Sequence, residues 1–230
     1  MTGATMADWL ALHRLTADLC RKILSLPPPP PAPATSDPGL ALDAAAAWSL
    51  AATALKAAMP PGAAVIAGVL GTTVTDFTPR PGPAFTARQG SAIVVRCSYA
   101  HRLRDLLALA HEFGHACQMA ASGDSMPPAL RETCASLAEL LMLRHLAQAW
   151  PGLGAPAQAL WRARVGRTLG RERRDLLPAL DNPASAYRYG WNYPPAILLA
   201  SSAAERLTGD QFWQVFRGEI SLAELAALAA

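Results

Sequence analysis

Charge is scarce in this sequence. Only 16% of the 230 residues are charged and the formal net charge is +3. Both signs are spread along the chain, so neither nucleic acid nor an anionic membrane surface is an expected partner. The one basic cluster, Arg162, Arg164, Arg167, Arg171, Arg173 and Arg174, is mixed with Glu172 and Asp175 at spacings that wrap around a helix, the pattern of a solvated face. Long apolar runs are missing too. The longest, such as 63–70 and 196–200, fall far short of the ~20 residues of a membrane span. Residues 1–10 hold Asp8 and no basic stretch, so no signal peptide is expected there. The four cysteines, Cys20, Cys97, Cys117 and Cys134, form no C-x-x-C pair and no disulfide framework. A reducing cytoplasm, with the thiols as small buried hydrophobes, is the expected setting.

What is abundant is alanine, with 49 residues. It favours helix and adds little bulk. A hydrophobic share of 52% excludes disorder over most of the chain, and the length suits one domain, or one domain with a short appendage.

Leu10, Leu12, Leu15, Leu19, Ile23 and Leu24 recur at helical spacing and predict one amphipathic helix over 7–26. Five prolines, 27–31, stop it and open a stiff extended connector to about residue 39, a spacer between packed helices. An alanine-rich helix over 40–59 ends at Pro60-Pro61-Gly62. The β-branched or apolar runs 65–70, 72–77 and 92–97 predict a small antiparallel sheet. Helices are expected near 101–121, 128–149, 156–178, 192–207, 209–216 and 220–229, with breaks at Gly123-Asp124, Pro151-Gly152 and Asn182-Pro183.

Inside the first of these later helices stands His111-Glu112-Phe113-Gly114-His115, an H-E-x-x-H motif. Residues four apart share a helix face, so both imidazoles can reach one zinc ion while Glu112, on the adjacent side, acts as general base. The preceding segment, 106–110, is apolar enough to be buried, and burying these polar groups without partners would cost several kcal/mol. A hydrolytic zinc site usually has three protein ligands. His145 is one candidate for the third, and a carboxylate on the following helix is the other. Glu132 and Glu139 lie seven apart on one otherwise apolar face. Glu132 is assigned to the metal, and Glu139 to orienting a ligand imidazole.

These residues resemble the metal-site region of the thimet oligopeptidase and oligoendopeptidase F family of zinc peptidases. Gly82, Ala84 and Phe85 match that family's Gly-Ala-Phe-like loop before an edge strand, with Pro83 intervening. Glu132, Ser136 and Glu139 match its second metal-site helix. Tyr187-Arg188-Tyr189-Gly190-Trp191-Asn192-Tyr193 resembles its tyrosine-rich segment, whose hydroxyls contact the substrate carbonyl and the tetrahedral intermediate. The resemblance spans about 65–216. It departs at Gln118, where the family usually has a histidine, and in a shorter spacing from His111 to Glu132.

The resemblance implies a mainly α fold, a helical zincin-like core of gluzincin type with a small antiparallel sheet at the edge of the active site. The proline connector divides the chain into 1–39, an N-terminal helix and connector, and 40–230, the expected catalytic domain. The resemblance implies one zinc ion per chain on His111, His115 and Glu132, with peptide as substrate. Glu112 would be catalytic. Tyr189 is the first choice for holding the oxyanion and Tyr193 the second, while Tyr187, Gly82 and Phe85 would contact substrate. Relatives are several times longer, so the helical roof that restricts them to short peptides is expected to be mostly missing, leaving an open cleft.

Three rival readings keep parts of this site. One is an enzyme dedicated to a single precursor or modified peptide. Another is a regulatory protein that cleaves or senses one protein partner, and the third is a structural zinc site closed by Cys117 or Cys134. The first helix is expected either to fold back over the cleft or to reach a second copy in a homodimer.

Overall fold

The computed structural model describes residues 3–32 and 36–229. Part of the expected connector, residues 33–35, lies outside them, as do residues 1, 2 and 230. Among the described residues the chain is mainly α, with ten α-helices and one three-stranded sheet.

Helix α1 (Met6–Leu12) starts on a capping box in which Thr5 and Asp8 satisfy each other's backbone N–H groups. Arg14, at φ 53°, ends the turn that follows, and the Thr16 side chain caps a second helix, α2 (Ala17–Leu24). The single helix expected over 7–26 is therefore two. Asp43 caps α3 (Ala44–Ala58), and a short 3-10 turn, Pro60–Gly62, leads into α4 (Ala63–Thr72). Helix α4 replaces the strand expected over 65–70. A short apolar run suits either state, and here the prolines ahead of it preset a helical start. Its buried residues, Ile66 and Val69, are one turn apart.

Strands β1 (Val74–Asp76), β2 (Phe85–Gln89) and β3 (Ala92–Arg96) form a sheet in the order β1-β3-β2. Strands β2 and β3 are an antiparallel hairpin turning at Gly90, φ 59°. Strand β1 runs parallel to β3, so the sheet is mixed rather than wholly antiparallel. The proline-rich stretch 79–83 is too stiff for a tight hairpin after β1 and carries the chain across, so that β2 pairs on the far side of β3. Strand β2 itself was not among the expected strands, because Thr86, Arg88 and Gln89 dilute its apolar alternation.

The rest is helical: α5 (Leu103–Ser122), α6 (Pro128–Ala149), α7 (Pro151–Ala179), α8 (Tyr193–Arg206), α9 (Gly209–Phe216) and α10 (Leu222–Ala229). A 3-10 turn, Tyr189–Asn192, precedes α8. Helix α7 begins at Pro151, where a break was expected, because proline at the first helical position sacrifices no helix hydrogen bond. The others start and stop within about two residues of expectation.

Helix α6 is central, packed against both α5 and α8, with α7 alongside. Leu103, Leu106, Leu109 and Phe113 of α5 are fully buried, each contributing about 1.5–3 kcal/mol relative to exposure. Helix α1 folds back onto the loop before α8: Met6 N–H donates to Ser185 O at 2.8 Å, and Tyr187 N–H donates to Ala4 O at 2.8 Å. His13 anchors the start of α6, its Nε2 accepting the Ala129 N–H at 3.0 Å. No helix among the described residues is long and apolar enough to cross a membrane.

Candidate metal centre

Helix α5 carries His111, Glu112 and His115, and α6 carries Glu132 and Glu139. The two helices meet at Gly114, where an added β-carbon would stand 2.9 Å from the Ala135 Cα. That closeness sets Glu132 opposite the histidines. One ligand atom from each of His111, His115 and Glu132 lies within 4.8 Å of the others, and these three are the metal-capable group of His, Cys, Asp and Glu among the described residues. His111 Nε2 is 3.4 Å from Glu132 Oε2, and His115 Nε2 is 3.7 Å from Glu132 Oε1.

The donor set fits a metal ion on the structure's own terms. Glu132 Oε2 is buried with no hydrogen-bond partner, an expensive arrangement that a cation would relieve. The orientation of His111 is fixed from behind. Its Nδ1 donates to Glu139 Oε1 at 2.7 Å, which leaves Nε2 facing Glu132. Glu139 in turn accepts from Trp161 Nε1 at 2.7 Å and from the Arg164 guanidinium.

Protonation follows from these contacts. Burial works against ionising Glu132, but the two imidazoles and the Tyr189 hydroxyl outweigh it and hold its pKa down to about 2. Burial pulls His115 down to about 4, with Glu132 only partly opposing it. Burial also disfavours charge on His111, yet Glu132 and Glu139 together raise its pKa to about 10. A metal ion would replace that proton. Glu112 is pushed up, chiefly by burial, and its Oε2 accepts a 2.7 Å hydrogen bond from Thr86 Oγ1 on β2.

A cavity of about 270 Å³ joins these groups, lined by Phe85, Thr86, His111, Glu112, His115 and Glu132, with Arg131, Tyr189 and Tyr193 also on its wall. Tyr189 donates to Glu132 Oε1 at 2.7 Å. Tyr193, its ring 5.9 Å from that of Tyr189, has no hydrogen-bond partner for its hydroxyl among the described residues. Burial, with Glu132 and Glu112, raises its pKa to about 12, so it is a protonated donor at neutral pH.

Not every expected residue is brought here. Tyr187 lies outside the cavity wall, its hydroxyl accepting from Asn192 Nδ2 at 2.7 Å. Gly82 is exposed and also outside the wall. His145, the other candidate third ligand, lines a separate cavity with Arg144 and Phe212. Cys117 and Cys134 are buried apart from the ligand group. Gln118 donates to Ser122 Oγ and Gly123 O, closing the end of α5.

Sequence reasoning missed Thr86, Trp161, Arg164 and Asn192. Asn192 is fully buried and links three segments: Trp9 Nε1 donates to its Oδ1 at 2.8 Å, and its Nδ2 donates to Tyr187 OH and to Tyr189 O. An asparagine inside an aromatic stretch before an apolar helix was the available signal.

No family model matches the chain, and no curated protein matches it. Among solved structures, that of a candidate peptidase from Chlamydophila abortus is similar, at 16% identity and a TM-score of 0.48. The match covers 97% of this chain and 39% of that one, so the chain spans well under half of that protein's length.

Proposed function

We propose that this chain is a zinc-dependent metallopeptidase that hydrolyses peptide bonds in oligopeptides. His111, His115 and Glu132 would hold one ion. The observation that carries the reading is the shared cavity: three converging ligand atoms, a buried carboxyl beside them and a phenol with no partner among the described residues face one space. The resemblance of the same residues to the thimet oligopeptidase and oligoendopeptidase F family supports it.

Bound zinc would supply Lewis-acid polarisation of the scissile carbonyl and a water acidified toward neutral pH. The chain's own groups do the rest. Glu112 takes a proton from water and delivers it to the leaving amine, and its raised pKa suits that exchange. Thr86 holds the Glu112 carboxylate in place. Tyr193 donates to the developing oxyanion, and Tyr189, bound to Glu132, steadies that ligand. The buried free cysteines fit a reducing compartment such as the cytoplasm.

The test is to incubate zinc-loaded protein with a mixed peptide library, with and without chelator, and to identify products by mass spectrometry. Chelator-sensitive cleavage at many sites supports the reading. No cleavage by protein with zinc bound removes a general oligopeptidase and leaves an enzyme dedicated to one peptide.

A further inference from the structure

Arg131 precedes the ligand Glu132, and neither the motif nor the mechanism above uses it. Its side chain lines the metal-site cavity beside His115, Glu132 and Tyr189. Among the described residues its side chain forms no hydrogen bond and no ion pair, and its Nε is buried without a partner. Other arginines near the site are engaged: Arg88 with Asp124, Arg164 with Glu139 and Arg188 with Asp175.

A guanidinium offers five donors in a planar fork suited to a carboxylate, and Arg131 is half-buried, with only its Nε shut away from solvent and its remaining donors open to a ligand. Among the described residues no acid of this site pairs with Arg131. Glu112 is held by Thr86, Glu132 faces the two imidazoles and Tyr189, and Glu139 is held from three sides. A divalent ion on the ligands would draw on the Glu132 carboxylate, which leaves the open donors of Arg131 to an anion brought by the substrate. The cavity, about 270 Å³, is below the roughly 300–1,000 Å³ of sites for drug-sized ligands. The anion therefore belongs within a residue or two of the scissile bond.

We propose that Arg131 is the specificity determinant of this site, gripping a carboxylate of the peptide substrate beside the scissile bond. The carboxylate is either the free C-terminus or an Asp or Glu side chain. This rests on the metallopeptidase reading, and the two are separable by measuring binding without turnover.

The experiment uses zinc-loaded Glu112→Gln protein and two peptide pairs in calorimetric titration. One pair is acetyl-tetraalanine as free acid and as amide. The other is amidated acetyl-Ala-Asp-Ala-Ala and its Asn counterpart. The expected result is that the carboxylate-bearing member of at least one pair binds about tenfold tighter. Which pair responds tells terminus from side chain. Adding Arg131→Gln should abolish the preference, and Arg131→Lys should restore part of it. Retained zinc content and melting temperature show that the variants are folded. Equal binding within both pairs when Arg131 is present, or a preference that survives Arg131→Gln, overturns the proposal. An Arg131-dependent preference in a protein that cleaves nothing in the library keeps this proposal and removes the general oligopeptidase. Cleavage without the preference does the reverse.

Discussion

Gly114 of α5 lies so close to α6 that a β-carbon on it would stand 2.7 Å from the Ala138 Cβ. The glycine inside the H-E-x-x-H motif thus sets the distance over which Glu132 reaches the histidines. Gly114→Ala should push the helices apart at a cost of about 1–3 kcal/mol. That corresponds to a melting temperature lower by roughly 2–4 °C for each kcal/mol. Zinc affinity, measured by competition with a chelator, should fall with it. An alanine variant with both quantities unchanged would show that the close approach is not needed.

Glu112→Gln preserves size and the contact to Thr86 but removes the base. Zinc content should stay at one ion per chain while kcat drops by about 10²–10⁴. Metal analysis and peptide turnover on one preparation check both halves, and full activity in this variant would sink the assignment.

The two cavity tyrosines should separate kinetically. Tyr193→Phe removes a donor that has no other partner among the described residues, so kcat should fall about a hundredfold or more with little change in KM. Tyr189→Phe removes the hydrogen bond to Glu132, so it should weaken zinc binding as well as turnover. Equal zinc affinity in the two variants contradicts the division of roles.

Glu139→Gln leaves His111 Nδ1 without its anionic partner. Zinc affinity should drop about 10–100-fold, as for other groups that orient a metal-binding histidine. A competition titration reads this directly, and an unchanged constant removes the role.

His13 gives the fold a pH dependence. Its Nδ1 donates to Trp9 O at 2.6 Å and its Nε2 accepts from Ala129, so the ring must be neutral. Burial lowers its pKa below the usual 6.5 and Arg131 adds to this, against the bond to the Trp9 carbonyl. The unfolded chain therefore takes up the proton first as pH falls. The stability from neutral His13 is complete above about 6.5 and is lost as pH drops toward the folded-state value. His13→Gln should melt below the parent at pH 7.5, with the gap narrowing by pH 5. A constant gap across that range refutes the linkage.

Most helices were legible because their signals are local. The alternation of Leu106, Leu107, Ala110 and Phe113 marks the buried face of α5, and the H-E-x-x-H spacing is a property of one helix. Glu132 and Glu139 could be singled out because two acids seven residues apart interrupt an apolar face. The errors fell where local signals conflict. The 63–72 segment reads as strand or helix until the prolines before it are weighed, and the 7–26 helix hides a restart at Thr16. The mixed sheet was illegible because pairing direction depends on how residues 79–83 cross. Thr86, Trp161 and Arg164 escaped because each meets its partner through tertiary packing, and nothing at those positions announces a neighbour 22 to 26 residues away.

The bond from Trp9 to Asn192 joins residues 183 positions apart. During synthesis the three ligand residues are all made once Glu132 has emerged, sixty residues before Asn192. The turn that presents Tyr189 and Tyr193 has no such independence, because it is made last and is held partly by Trp9, far back in the chain, as well as by Glu132. If the proposed site holds zinc, a chain stopped short of Asn192 carries all three candidate ligands yet lacks the turn that presents the tyrosines.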